Sequence, residues 1–327
     1  MYTKKQPISK LKSGERIEDI FVVKIKKSLV PYKNKAGLYF ALVLSDSTGR
    51  SIDYKYWGGE SEEKTAQIYE SIKSDSVVFV KGKAELYEDK LQISTNFPDT
   101  IMPLADGEFD PKDFIGEARR DVNQMVADLY KHVGGIKNAD IKRLLEKVFV
   151  SDKEFLDRFK VHPASIEIHH NWTGGLLQHI LEVARYLELT SELYPEMDRD
   201  LMIAGALLHD IGKVDELAST TRIKGTTGGQ LKGHIALGYR QIANLMDELK
   251  TDPIIRDKIL HIILSHHGLL EFGSPKEPMF PEAVAVHYAD QMSSKFTELI
   301  DFVNSAKEAT QDDFMYNKRH GKIIFLR

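Results

Sequence analysis

Histidine and aspartate residues recur in this chain in an order that suits metal binding. Ten of the twelve histidines fall between His162 and His287. Five elements follow one another between residues 179 and 290, each on a different predicted helix: His179, His209-Asp210, His234, His266-His267 and Asp290. Mixed imidazole and carboxylate ligands suit Mn, Fe, Zn or Co better than Ca. The pattern therefore predicts a divalent metal centre built from histidine and carboxylate.

Two aspartates stand where a charged side chain is costly without a partner. His209 and Asp210 open the motif HDIGK, directly after an apolar run that ends at Leu208, and Asp290 lies on an apolar helix. A buried carboxylate needs an opposite charge or a metal ion. A helical bundle can direct side chains from several helices into one core site. Because Asp210 can bridge, we predict two divalent ions and a metal-activated hydroxide that attacks a phosphoryl group in line.

Composition limits the class of protein. The chain has 327 residues, of which 42% are hydrophobic and 29% charged, as in a globular protein large enough for two domains. The net charge of -4 excludes a polycation that binds nucleic acid indiscriminately, and the absence of cysteine excludes disulfides and cysteine zinc sites. No apolar run approaches the ~20 residues of a membrane span. The N-terminal sequence lacks the apolar core of a signal peptide, so a cytoplasmic location without a membrane partner is expected.

The elements that must position these residues divide into a β-rich part and a helical part. Residues 14–103 are rich in Val, Ile, Tyr and Phe and contain clear turn sequences. The predicted strands are Ile17–Lys27, Leu38–Ser45, Ser51–Trp57, Ser76–Leu86 and Lys90–Phe97, with a helix at Glu62–Lys73. This order is typical of a small OB-fold barrel, which commonly binds single-stranded nucleic acid.

Aromatic and basic residues of the predicted barrel are candidates for nucleic-acid binding, because bases stack on aromatic rings and lysine neutralises phosphates. The candidates are Tyr39, Phe40, Tyr54, Tyr56 and Trp57, with Lys24, Lys26, Lys33, Lys35 and Lys55 nearby. The alternative is that half of these rings form the barrel core. Tyr54 and Tyr56 share one strand face, opposite Lys55 and Trp57. Since both faces cannot be core, at least one set should be exposed.

Everything after the acidic linker Leu104–Asp110 is predicted to be helical. Asp110 and Pro111 suit the start of a helix whose apolar stripe continues to Gly134-Gly135. Further helices are predicted at 138–149, 152–160, 174–193, 199–211, 233–249, 252–266 and 281–306, with a Gly-rich loop at Gly225–Gly233. The predicted domains are a barrel at 1–104, a helical lead-in at 105–160, a metal-binding bundle at 161–310 and a C-terminal tail at 311–327. The last six residues could form a short strand or a docked tail.

The chain resembles the HD superfamily of metal-dependent phosphohydrolases over about residues 160–300, through the ordered His and Asp residues above. More narrowly, it resembles the YhaM-type 3'-5' exoribonucleases, which join an N-terminal OB-fold to a C-terminal HD domain. The stretches that carry this resemblance are HHNWTGGLLQH at 169–179, ALLHDIGK at 206–213, ILSHHG at 263–268 and EFGSP at 271–275. The resemblance implies a two-domain protein, an all-β OB-fold barrel followed by an all-α HD-type helical bundle. It also implies a manganese-favouring enzyme that releases nucleoside monophosphates from a 3' end.

The same resemblance implies roles for individual residues. His179, His209, Asp210 and Asp290 match the ligands of the first metal, and His234 and His266 match those of the second, with Asp210 shared. Lys213 would lie beside the substrate phosphate, although a lysine there can also offset a helix dipole. Four further histidines could contact phosphate, orient a ligand from behind or simply pack: His267, His169, His170 and His287.

The leading hypothesis is a 3'-5' exoribonuclease acting on single-stranded RNA, with single-stranded DNA as a further substrate. It would use two divalent ions, Mn²⁺ before Fe, Co, Zn or Mg. One alternative is an HD-type nucleotide or cyclic-nucleotide phosphohydrolase, although Gly273-Ser274-Pro275 lacks the Gly-Tyr-Pro of the cyclic-dinucleotide branch. The other is a non-catalytic OB-fold protein that binds nucleic acid. Homo-oligomerisation is left open.

Overall fold

The computed structural model describes residues 1–48, 50–58, 61–118, 120–166 and 170–327, without the side chains of 308 and 309. The chain divides into two compact units. The barrel unit comprises Met1–Glu117 with Ser219–Ile223, and the helical unit comprises Ala118–Ala218 with Lys224–Arg327. The predicted domain limits at 104, 160 and 310 stay predictions.

The barrel unit is a closed sheet. Its strands are β1 (Arg16–Pro31), β2 (Leu38–Ser45), β3 (Ser51–Trp57), β4 (Val77–Tyr87), β5 (Lys90–Asn96) and the short β6 (Ile101–Pro103), and α1 (Glu62–Ser71) follows β3. The strand order is β1-β2-β3-β5-β4-β6, and β1 also pairs with β4, which closes the barrel. Among the strands described, β3 and β5 pair in parallel; the other named pairs of this sheet are antiparallel. This topology is that of an OB-type barrel, so the predicted fold class is confirmed.

Alternation along the strands fills the barrel. In β3, Ile52, Tyr54 and Tyr56 are buried while the residues between them are not. They pack with Phe40 on the neighbouring strand in one hydrophobic core. The Ser61 hydroxyl accepts the N–H of the third residue of α1 and so fixes the start of that helix.

The helical unit contains nine α-helices in the part of the chain described. They are α2 (Val122–Gly134), α3 (Ala139–Glu146), α4 (Lys153–Phe159), α5 (Gly175–Leu193), α6 (Arg199–Leu208), α7 (Lys213–Glu216), α8 (Thr227–Leu249), α9 (Pro253–Ser265) and α10 (Pro281–Ala309). Two hairpins accompany them, formed by β7 (Leu217–Ser219) with β8 (Ile223–Gly225) and by β9 (Phe314–Asn317) with β10 (Lys322–Phe325). Side chains from α2 to α10 share one hydrophobic core. In the part of the chain that the structure describes, no helix is both long and apolar enough to cross a membrane.

Three local predictions were wrong. The helix predicted to start at Pro111 forms only a single 3-10 turn, and α2 begins at Val122 because Asp121 caps it through the N–H of Gln124. The hairpin of β7 and β8 was missed, since each strand has only three residues. The Gly-rich segment before His234 is mostly helical, because the Thr226 hydroxyl caps α8.

Candidate metal centre

The predicted ligands come together in the helical unit from two helix bodies, two helix ends and one interrupted helix. His179 is buried in α5, and Asp290 comes from α10. His209 and Asp210 follow the last residue of α6, and His266 follows the last residue of α9. The other predicted ligand, His234, lies in α8 directly after Gly233, where the helix is interrupted by a φ of 72° and a ψ of 157°. Polar groups at helix ends and interruptions can face inward without displacing the apolar residues of the helix body.

The first group of ligand atoms surrounds one oxygen of Asp210. The Nε2 atoms of His179 and His209 lie 3.3 Å apart, and each is 3.5 Å from Asp210 Oδ2. Asp290 Oδ1 lies 3.1 Å from His179 Nε2 and 3.9 Å from His209 Nε2. Four potential ligands therefore converge from two helices, α5 and α10, and the turn after α6.

The second group surrounds the other oxygen of Asp210. His234 Nε2 and His266 Nε2 each lie 3.5 Å from Asp210 Oδ1. These three buried atoms have no hydrogen-bond partner among the residues that the structure describes. The ligand atoms of His234, His266 and His267 also lie within 4.8 Å of one another. The two oxygens of Asp210 thus face different groups of imidazoles.

This arrangement fits divalent metal ions. A buried polar atom without a partner costs about 1–3 kcal/mol, and more when it is charged. Three such atoms pointing at one another would be destabilising unless a cation lay between them. Imidazole nitrogens with shared carboxylates are ligands that divalent transition metals prefer, and a carboxylate facing two groups can serve two ions.

The tautomers of two ligands are fixed by their own helices. His209 Nδ1 donates to the carbonyl of Ala206 at 2.9 Å, and His266 Nδ1 donates to the carbonyl of Ile263 at 2.8 Å. Each carbonyl belongs to the residue three positions earlier. Because Nδ1 carries the proton in both rings, the lone pair of Nε2 points towards Asp210.

His179 is oriented by a relay that the sequence did not reveal. The Ser293 hydroxyl donates to Glu182 Oε2 at 2.8 Å, so its oxygen accepts the proton of His179 Nδ1 at 3.0 Å. His170 Nε2 also lies 3.1 Å from Glu182 Oε2. Burial tends to raise the pKa of Glu182, but hydrogen bonds from His170, Gln178 and Ser293 hold it at about 2. This carboxylate is therefore ionised, and it is positioned to make His179 a better metal ligand.

His234 is held by a second carboxylate that sequence reasoning missed. Glu216 Oε1 accepts the backbone N–H of His234 at 3.0 Å, and Glu216 Oε2 accepts Nδ1–H at 3.1 Å. Burial raises the pKa of Glu216, but the bonds from His234 lower it more, so the carboxylate stays charged. Both oxygens are thus used to aim one imidazole, whose Nε2 points towards Asp210.

The glycine of HDIGK allows this close packing. A Cβ on Gly212 would lie 2.0 Å from the carbonyl oxygen of His234 and 2.5 Å from the amide nitrogen of Gly238. Such distances are shorter than any real contact of a side chain. Only glycine lets the turn after Asp210 approach the helix that carries His234.

Lys213 lines an open cleft of about 760 Å³, together with Glu216, His234 and His267. Its Nζ is 2.6 Å from Asp210 Oδ2, and the side chain is mostly buried. The carbonyl of the same residue accepts a hydrogen bond from His162 Nε2 at 2.9 Å. A positive charge is therefore fixed beside the predicted ligands, where substrate could reach it.

The remaining histidines differ in their contacts. His267 donates from Nδ1 to the Phe272 carbonyl at 3.0 Å. His287 donates from Nδ1 to the His266 carbonyl at 2.7 Å, and it packs where a Cβ on Gly268 would lie 2.3 Å from its ring. His287 thus supports the turn that carries the His-His pair. The prediction for His169 lies outside the described residues.

Burial favours neutral imidazoles at this site. It lowers the pKa of His266 to about 3, and it lowers the pKa of His179 despite the nearby Asp290. His209 differs, because Asp210 and Asp290 raise its pKa more than burial lowers it. A neutral ring is the form that binds a metal ion, so the environment of His266 and His179 suits ligation.

Three predicted nucleic-acid contacts in the barrel were wrong. Phe40 and Tyr54 are fully buried and Tyr56 is 7% exposed. All three belong to the hydrophobic core of the barrel. Their strand face points inward, so they cannot offer a ring to a base.

The opposite face of the same strands carries an accessible aromatic cluster. Tyr39 and Trp57 are paired across β2 and β3, with ring centroids 5.3 Å apart. Tyr32, which was not predicted, stacks against both rings at 5.3 and 6.0 Å. Lys35 lies over Tyr32 and Lys55 over Trp57, at 4.2 and 5.1 Å from the ring centroids. The predicted Lys33 is exposed in the loop that joins β1 to β2.

Known proteins are similar to this chain over most of its length. A family model of the HD domain matches residues 176–295. Proteins named 3'-5' exoribonuclease YhaM from Bacillus velezensis and Bacillus subtilis are each 30% identical to this chain, and one from Bacillus licheniformis is 31% identical. Each match covers 86% of this chain and 86% of the relative.

Proposed function

Because the chain belongs to the family of YhaM-type 3'-5' exoribonucleases, we propose that it shortens single-stranded RNA from the 3' end and releases nucleoside monophosphates. The observation that carries this proposal is Asp210, whose two buried oxygens each face a separate group of histidines. A carboxylate so placed suits the two-ion centre of a phosphodiesterase.

The proposed ligands form two sets that share one residue. One ion would be held by His179, His209, Asp210 and Asp290, and the other by Asp210, His234, His266 and His267. The last of these was predicted only as a contact to substrate or to another ligand. Mn²⁺ is the proposed metal, with Fe, Co, Zn and Mg as alternatives. When bound, such ions supply Lewis acidity that lowers the pKa of water and offsets charge on a phosphate.

The protein's own groups prepare the site for a phosphodiester. Lys213 brings a positive charge next to Asp210, which suits a non-bridging phosphate oxygen. Glu216 and the Ser293–Glu182 pair keep their imidazoles in the orientation that ligation needs. Because these supports are buried or partly buried, little reorganisation is required when substrate binds.

The barrel is proposed to bind the strand. Tyr32, Tyr39 and Trp57 form a stack on which bases can lie, and Lys35 and Lys55 are close enough to neutralise phosphates. Stacking tolerates either sugar, so single-stranded DNA is proposed as a further substrate. A cytoplasmic location and homo-oligomerisation stay predictions.

A labelled strand tests the proposal. Single-stranded RNA with a 5' fluorophore is incubated with the metal-stripped protein and added Mn²⁺, and the products are separated by length. We expect progressive 3' shortening that falls to background in Asp210→Asn and continues in His132→Gln, a control in the same unit. Intact RNA with the wild-type protein would refute the proposal. Phosphate release from free nucleotides in the same preparation would then favour the nucleotide phosphohydrolase.

A further inference from the structure

The C-terminal hairpin of β9 and β10 contributes a side chain to the cleft of the metal centre. Arg319, in the turn of this hairpin, lines the same cleft as Lys213, His234 and His267. Among the described residues that line it, Lys213 and Arg319 are the cationic ones. No role was predicted for this tail, since only its apolar end suggested any structure.

The turn is held in place rather than loosely attached. The Asn317 side chain is buried, and its Oδ1 accepts the backbone N–H groups of Arg319 at 2.9 Å and His320 at 3.1 Å. The hairpin itself is anchored because Ile324 packs with Ala306 of α10 in a small hydrophobic cluster. A fixed turn can place a guanidinium without a large loss of entropy on binding.

The charges of the turn suit a polyanion. Its sequence is Lys318-Arg319-His320-Gly321-Lys322, and both lysines are exposed. Arg319 Nε lies 2.8 Å from Glu298 Oε1, and this is the one carboxylate within salt-bridge distance of Arg319 among the residues described. The side chain is 52% exposed. An arginine has five N–H donors, so one carboxylate contact leaves others for a second anion.

We propose that Arg319 binds a backbone phosphate of the RNA strand whose 3' end occupies the metal centre. Guanidinium groups bind phosphate oxygens in pairs, which fixes the direction of the strand as well as adding affinity. Arg319 would therefore position the strand, while Lys213 would supply the other positive charge of the cleft. This inference rests on the proposed function, because it takes the RNA strand as the substrate of the cleft.

RNA binding measured under conditions that prevent hydrolysis tests the inference. The affinity of the full-length protein for fluorescein-labelled single-stranded RNA is measured by anisotropy in EDTA at several salt concentrations. Arg319→Ala should weaken binding by about tenfold. It should also reduce the slope of log K against log salt by about 0.7, the value for one phosphate contact on a single strand. Arg327→Ala is the matched control, because Arg327 follows β10 by two residues, also pairs with a carboxylate and does not line the cleft.

A second variant separates a phosphate contact from a purely structural ion pair. Glu298→Gln removes the partner of Arg319 but keeps the guanidinium, so RNA affinity should be unchanged or higher. Loss of affinity in Glu298→Gln equal to that in Arg319→Ala would overturn the inference. So would an Arg319→Ala protein with the affinity and salt slope of Arg327→Ala.

A small substrate distinguishes this inference from the proposed function. Hydrolysis of bis-p-nitrophenyl phosphate with Mn²⁺ needs the metal centre but no strand, so Arg319→Ala should retain the wild-type rate. A reduced rate there would place Arg319 in the chemistry and overturn the positioning role. Failure of the wild-type protein to shorten RNA would instead refute the proposed function.

Discussion

Glu216 offers the sharpest test of how the proposed second metal is held. Its two oxygens accept two different donors of His234, the backbone N–H at 3.0 Å and Nδ1–H at 3.1 Å. In Glu216→Gln one oxygen is replaced by an NH₂ group. This group is itself a hydrogen-bond donor, so it cannot accept the N–H that the oxygen accepted. One hydrogen bond and the negative charge are lost together, while the size of the side chain is unchanged.

The size of the effect follows from these two losses. A hydrogen bond to a charged group contributes about 1.5–3 kcal/mol, which corresponds to roughly 10- to 150-fold in a binding constant. Groups that orient a ligand from behind typically change metal affinity by about 10- to 100-fold. The Glu216 side chain is 22% exposed, so water screens this interaction only in part. We therefore expect Mn²⁺ at the second site to bind about 10- to 100-fold more weakly, with the first site unchanged.

Calorimetric titration of metal-stripped protein with MnCl₂ measures this directly. Wild-type protein should show two binding events, and Glu216→Gln should weaken one of them. Glu248→Gln, an exposed change on α8, the helix that carries His234, is the matched control. Far-UV circular dichroism shows whether both variants are folded. A folded Glu216→Gln protein with both Mn²⁺ affinities equal to those of the control would refute this account of His234.

Three further outcomes follow from the contacts of single residues. Gly212→Ala should lower the free energy of unfolding by roughly 2–3 kcal/mol in urea titrations and weaken Mn²⁺ binding, because the new Cβ would lie 2.0 Å from the His234 carbonyl. Burial lowers the pKa of His162 from the ordinary 6.5 to about 4, so the stability that its neutral ring contributes is complete above pH 6.5 and is lost as pH falls towards 4. Between pH 7 and pH 5, His162→Gln, which can still donate to the Lys213 carbonyl, should therefore lose about 2 kcal/mol less stability than wild type. Trp57→Ala should weaken RNA binding by about 1–3 kcal/mol in anisotropy titrations without changing the hydrolysis of bis-p-nitrophenyl phosphate. Trp57→Phe keeps an aromatic ring and should retain most of the affinity. Equal RNA affinities of the Ala and Phe variants would contradict stacking.

The ligand set could be predicted because charged or polar residues on apolar helices require a partner that compensates for their burial. Asp290 among alanines and valines, and His209-Asp210 after an apolar run, each indicate a partner elsewhere. The barrel was predictable for a similar reason, since its strands alternate and its turns contain strong signals. What alternation does not give is which face points inward. Both faces of Ser51–Trp57 carry aromatic residues, so Tyr54 could not be assigned to the core from sequence alone.

The supporting residues could not be predicted, because their importance arises only from long-range contact. Ser293 and His179 are 114 positions apart, and a serine on a long helix has no local signal of its role. Glu216 is an acidic residue in a short helix, where many carboxylates simply face water. Arg319 lies in a basic turn that the sequence describes equally well as a solvated tail. In each case the residue type gives no local signal, and the role follows only from the residue that it contacts in the fold.

The HDIGK motif is constrained by packing at the same positions that chemistry requires. Ile211 is completely buried, so the turn after His209 and Asp210 cannot rotate to expose its ligands without exposing an apolar side chain. Gly212 brings the following turn against the helix of His234, and Lys213 then lies 2.6 Å from Asp210. A substitution at Ile211 or Gly212 would therefore move the ligands although neither residue can bind a metal or a phosphate. The motif is best understood as a rigid turn whose shape sets the separation of the two groups around Asp210.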